Sequence, residues 1–155
     1  MGFRITGLSA EPFRHLYGLT DAELAALGVL RYPVDGSSAY TDRIEMRDAR
    51  AGETVLLLNH VCQPADTPYR ATHAIYIREG AEETYVGVDE VPETMLTYLQ
   101  SLRAFDEAGM LVESEVAMGE EVKPAIERLF ENPRTAYIHA HNARPGCYAA
   151  RIDRC

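Results

Sequence analysis

Apolar positions recur with a period of two along most of this chain and with a helical period in only a few places, which predicts many strands and few helices. Residues 3–8 alternate around Phe3 and Ile5 as a short strand, and Ser9 is placed to cap one or two turns carrying Phe13, Leu16 and Tyr17. Thr20 and Glu23 have capping-box spacing ahead of Leu24 and Leu27, and Gly28 supplies the stop. Residues 29–34 predict a strand, the DGSS from Asp35 a turn, and 43–46 a further short extended piece. In ETVLLLNHVC both alternating faces are apolar. Val55, Leu57 and Val61 lie on one side and Leu56 and Leu58 on the other, as expected of a central strand covered twice.

Pro64 and Pro68 make QPADTPYR a loop, because proline removes a ladder donor and restrains the residue before it. Strands are predicted over 72–78 and 85–88, and Pro92 opens a helix through Met95, Leu96 and Leu99. Residues 102–105 and 111–116 form a hairpin around Gly109. The strongest helix spans 120–130, where Val122, Ile126, Leu129 and Phe130 share a stripe and Asn132-Pro133 ends it. Residues 137–142 and 147–153 close the chain as a second hairpin. With no repeat, linker or low-complexity segment, residues 1–155 read as a single globular domain. Its class is α+β, a mainly antiparallel sheet with a few packed helices and a C-terminal β-hairpin, rather than a doubly wound parallel sheet.

The composition narrows the function classes. The chain has 155 residues, 46% hydrophobic and 25% charged, as in ordinary soluble proteins. A formal net charge of −9 disfavours nucleic acid, whose phosphates require clustered cations. Arg134, Arg144, Arg151 and Arg154 nevertheless make the C-terminal end locally cationic, which leaves room for a small anionic ligand. No apolar run reaches the roughly 18 residues of a membrane span, and MGFRITGL lacks the apolar core of a secretion signal, so a cytoplasmic protein is expected. Gly2 and Thr6 fit a loose myristoylation pattern but read better as the start of the first strand. Cys62, Cys147 and Cys155 show no CxxC spacing, so reduced thiols are expected rather than a disulfide framework or zinc ribbon. No cofactor is expected, and the oligomeric state is not set by these features.

The candidate chemistry gathers in YIHAHNARPGCYAARI, residues 137–152. Period-two geometry puts His139 and His141 on one face of a strand. A four-residue ARPG loop would pair Asn142 with Cys147 and His141 with Tyr148, which turns Cys147 away from the histidines and disfavours a simple thiol–imidazole dyad. His139 and His141 are the candidate general acid or base, with Cys147 a candidate nucleophile. As metal ligands the same two histidines would need a third, such as His73 or His60, but no HExxH, paired cysteines or adjacent carboxylate accompanies them, and no metal is expected. His73 shares its face with Ile75 and Ile77 as a core histidine would. Ile75 also occupies the place where a two-histidine phosphoesterase motif requires serine or threonine, which excludes that class. Asn142, Arg144, Tyr69 and Arg70 are the candidate ligand contacts, since guanidinium matches carboxylate or phosphate. Glu82-Glu83 and Glu120-Glu121 read as solvated turn and helix-start residues.

The segments VLLLNHVCQPADTPYRATHAIYIREG, LRAFDEAGML and YIHAHNARPGCYAARIDR resemble a bacterial family known only as domain of unknown function 1203, over nearly the whole chain from FRITGL onward. The resemblance implies a small, single-domain, cytoplasmic protein and carries over no activity, cofactor or catalytic residue. The family pattern has an aromatic residue and a histidine where His60 and Cys62 stand here, so neither is carried over as a shared ligand. From the residues themselves, the leading expectation is a pocket for a small anionic molecule by the Asn142–Cys147 turn and the 64–70 loop. An enzyme working through His139 or His141, alone or with Cys147 or a metal, is the alternative, and a structural or interaction role the third.

Overall fold

In a computed structural model that describes residues 2–155, nine strands form two antiparallel sheets, accompanied by three α-helices. The larger sheet comprises β1 (Phe3–Thr6), β5 (Val86–Val88), β6 (Gln100–Phe105), β7 (Leu111–Ala117), β8 (Tyr137–Asn142) and β9 (Tyr148–Arg154), in the order β5-β1-β9-β8-β6-β7. The smaller comprises β2 (Leu30–Pro33), β3 (Thr54–Gln63) and β4 (Ala71–Arg78) in sequence order. The α+β class and the C-terminal hairpin are as the sequence predicts. The chain ends meet, with Phe3 opposite Arg154 and Ile5 opposite Ile152.

One face of the larger sheet packs on α3 (Val122–Glu131) and α2 (Glu93–Leu96). Leu102, Ala104, Ile138, Ala140 and Ile152 meet Met95, Val122, Ile126, Leu129 and Phe130 there in one buried cluster. The helical stripe read from the sequence is therefore the stripe that is buried. The opposite face meets the smaller sheet, where Leu56, Leu58, Cys62, Ile75 and Ile77 cluster with Tyr148 and with Leu24 of α1 (Asp21–Ala26). Helix α1 carries the predicted capping box: Thr20 Oγ1 accepts from the Glu23 amide, and Glu23 Oε1 accepts from the Thr20 amide.

Several local expectations are corrected. Residues 43–46 are a turn, not an extended piece. The buried Asp42 carboxylate accepts from the Glu45 and Arg78 amides, and Met46 takes a left-handed φ of 57°, which together curl the segment over β4. The helix opened by Pro92 stops at Leu96, and Leu99 is exposed, because the chain must straighten by Gln100 to pair with β8. The turn expected around Phe13 does form, as the three-residue 3-10 helix Arg14–Leu16. The outer face of β3 is covered only at one end. Val55 lies under Val34 and Ala49, whereas Val61 is 39% exposed.

Candidate functional site

The β8–β9 hairpin has the predicted register. Asn142 donates its amide to the Cys147 carbonyl at 2.9 Å, and His141 stands opposite Tyr148. One residue further on, a bulge intervenes. Ala140 pairs with Ala150, so Ala149 is the extra residue, and its insertion turns Tyr148 from the helix face to the histidine face. His139 and His141 both meet the Tyr148 ring at 88°, with centroids 5.4 and 5.8 Å away, so both imidazoles project from the same side of β8, as alternation requires.

That side is sealed rather than open. His139 is 3% exposed and His141 2%, because the smaller sheet lies over them. His139 is enclosed by Phe105, Tyr137 and Tyr148, and its Nδ1 is buried without a hydrogen-bond partner. Burial, aided by the positive charge of Arg151, pushes its pKa down to about 3. Burial likewise lowers His141 to about 4, although its Nδ1 lies 2.9 Å from the Gly146 carbonyl oxygen. Both rings are neutral at pH 7. The expectation that they wall an open pocket is corrected, and neither is poised for proton exchange near neutrality.

At His141 the two sheets bring three side chains together. The His73 ring sits 4.8 Å from that of His141, and one potential ligand atom from each of Cys62, His73 and His141 lies within 4.8 Å of the others. The sequence candidates for a metal were His139, His141 and His73. The structure joins the latter two and replaces His139 with Cys62. The Cys62 thiol, whose pKa burial raises, donates to the Ala71 carbonyl at 3.6 Å, and all three cysteines are free.

An open cavity of about 420 Å³ lies beside this cluster, between the β8–β9 turn, the 39–43 segment and β4. It is lined by Asn142, Arg144 and Cys147, together with Arg43, Tyr76 and Tyr98. A larger hollow of about 610 Å³ lies between Asp106 and Arg154, but it is shallow and its Arg154 donates to the Thr135 and Asn132 carbonyls. The smaller cavity has a different electrostatic character. Arg43 is only 6% exposed, and its guanidinium makes no hydrogen bond or ion pair with any described residue. The nearest carboxylates are committed elsewhere: Asp42 to the backbone amides above, Asp48 to the Thr41 hydroxyl at 2.6 Å. Burial therefore depresses the Arg43 pKa. Asn142 Oδ1 accepts from Gln100 Nε2 at 2.9 Å, which leaves the Asn142 amide hydrogens as donors at the cavity wall.

Tyr69 and Arg70 are separated from this cavity. Their loop packs at the Tyr137 end of β8, where Gln63 Nε2 donates to the Tyr137 hydroxyl, Thr67 donates to the Gly109 carbonyl and Tyr69 meets the Phe105 ring edge-on. Gly109, at φ +82°, lets that approach happen, since a Cβ there would collide with Ala65. The expectation that the turn and the 64–70 loop share one pocket is thus corrected by the length of β8 itself. Arg43 was missed in the sequence because an arginine inside a short turn carries no local signal. For Cys62 the sequence predicts only a reduced thiol.

Fold and site together define an α+β protein of two antiparallel sheets whose interface holds neutral imidazoles, a thiol and an unpaired guanidinium. The chain belongs to the family described as Protein of unknown function (DUF1203), whose model matches residues 39–154; the match begins well after FRITGL and so is shorter than the resemblance implied. No curated protein and no solved structure matches the chain. Among the described residues no helix is long and apolar enough to cross a membrane.

Proposed function

We propose that the protein binds a small anionic molecule bearing a carboxylate or phosphate, in the cavity at the β8–β9 turn. The single observation that carries this reading is Arg43, a residue only 6% exposed that lines the cavity and whose guanidinium has no partner among the described residues. An unpaired buried charge is costly, and an anion entering the cavity offsets that cost by accepting from the planar fork of donors. Arg144 at the exposed turn and the amide hydrogens of Asn142 supply further donors. The volume of about 420 Å³ falls in the range of small-molecule sites.

The enzyme alternative through His139 or His141 is less well supported, because both rings are sealed and held neutral. Cys147 lines the cavity, but His141 Nδ1 is directed to the Gly146 carbonyl rather than to that thiol. Thermal unfolding with increasing inorganic phosphate tests the binding reading. Wild type should gain stability with phosphate as binding is linked to folding, Arg144→Ala should respond about tenfold more weakly, and Arg43→Met should not respond. Equal stabilisation of wild type and Arg43→Met, or none in either, overturns it.

A further inference from the structure

We infer that Cys62, His73 and His141 form a three-ligand site for a zinc-class divalent ion, buried between the two sheets beside the anion cavity. The inference stands apart from the anion reading, since it uses none of Arg43, Asn142 or Arg144.

The donors come from three strands of two different sheets: β3 supplies Cys62, β4 His73 and β8 His141. Alternation points His73 inward with Ile75 and Ile77, and the register irregularity between Val61 and Gln63 falls at Cys62, where β3 bends over β8. Ligand atoms within 4.8 Å of one another need to close to about 3.3 Å between nitrogens and about 3.5 Å from nitrogen to sulfur, the spacings implied by tetrahedral zinc with bonds of about 2.0 Å to nitrogen and 2.3 Å to sulfur. That is a movement of side-chain torsions, not of strands.

The surroundings suit coordination. The His141 Nδ1–H donates to the Gly146 carbonyl at 2.9 Å, which fixes the ring and leaves Nε2 with a free lone pair. This is the support that metal-binding histidines ordinarily receive from a backbone oxygen. Cys62 is 8% exposed and His141 2%, so water does not compete from that side, whereas the half-buried His73 leaves an approach from solvent. Three protein ligands with one position open is the arrangement of zinc sites that take an exchangeable fourth ligand. Arg103, on the neighbouring β6, adds positive charge near His73 and His141, so that position favours an anion such as hydroxide or chloride.

On binding, the Cys62 S–H bond breaks, its proton passes to solvent and the thiolate becomes a ligand; no electron changes hands. The test uses full-length protein without an affinity tag, in a Cys155→Ser background, titrated with cobalt(II) and then with zinc(II). Cobalt should bind at one equivalent with a thiolate-to-metal charge-transfer band, and zinc should displace it. Cys62→Ser should abolish the band, and His73→Gln should weaken binding about 100-fold or more while keeping the wild-type circular dichroism. Because His73 is half-buried, the His73→Gln protein keeps the inference testable if Cys62→Ser does not fold. No charge-transfer band in wild type, a band that survives Cys62→Ser through Cys147, or unchanged affinity in folded His73→Gln overturns the site.

Discussion

The helix-side face of the six-stranded sheet and the face that meets the smaller sheet use the same strands and carry opposite chemistry. On the helix side, Leu102, Ala104, Ile138, Ala140 and Ile152 pack against Val122, Ile126 and Leu129 in one apolar cluster, with the buried Gln100 further along the same strand as its polar exception. On the other side, the alternate residues of β8 and its neighbours are His139, His141 and Tyr148, answered from the smaller sheet by Cys62, His73 and Gln63. A core made only of hydrocarbon stabilises without discriminating, whereas buried polar groups that lack partners destabilise unless something completes them. The comparison separates the face that holds the fold from the face that holds the chemistry.

The largest effect is expected on the helix side. Leu129→Ala should cost about 2–5 kcal/mol, since it opens a cavity in a well-packed cluster, and phosphate stabilisation should persist in whatever fraction remains folded. Chemical denaturation with and without phosphate measures both. Loss of phosphate response at full folding would show that the two faces are not separable.

The polar face should be sensed by pH. His139 and His141 have folded pKa values of about 3 and 4, below the ordinary value near 6.5, so the unfolded chain takes up protons first as pH falls. Their stabilising contribution is complete above pH 6.5 and is lost between there and about pH 3. At pH 5 each ring should have lost about 2 kcal/mol. Glu53 and Glu79, held at about 2 chiefly by hydrogen bonds from Arg47 and Arg31, act only below pH 4.5 and do not obscure this window. Burial also lowers the pKa of His60 and His73, which add to the same trend, so denaturation midpoints between pH 7 and 5 should fall in wild type and fall less far in His139→Leu. A flat profile in wild type would mean the rings are hydrated.

A smaller effect of opposite sign is expected at the cavity. Without an anion, Arg43→Met should raise stability by about 1 kcal/mol, because it removes a buried charge that no described residue pairs. At the far edge of the molecule, Thr20→Ala should cost about 0.5–1 kcal/mol by deleting the α1 cap, with no change in the response to phosphate.

How much of this the sequence disclosed follows from the range of the interactions. The hairpin register of Asn142 with Cys147 and the shared face of His139 and His141 depend on neighbours a few residues away, and both were legible. That this face is sealed depends on residues about 70 positions earlier, since β4 supplies His73, and alternation cannot report which sheet will cover which face. The pairing of Cys62 with His73 and His141 has the same non-local origin. Arg43 reaches the cavity only because the 43–46 turn folds over β4, and the signal for that turn is the Asp42 carboxylate, which the prediction of an extended piece over 43–46 leaves out. Tyr69 and Arg70 are candidates by side-chain chemistry alone, and the docking of their loop at Gly109 and Tyr137 is a long-range contact that no local pattern reports.

The most direct test of the central claim is the Arg43 Nε–H resonance, followed by nuclear magnetic resonance while inorganic phosphate is added. Saturable movement of that signal, together with the amides of Asn142 and Cys147, is the predicted result. An Arg43 signal that stays fixed while only exposed arginines such as Arg144 drift without saturation would contradict it.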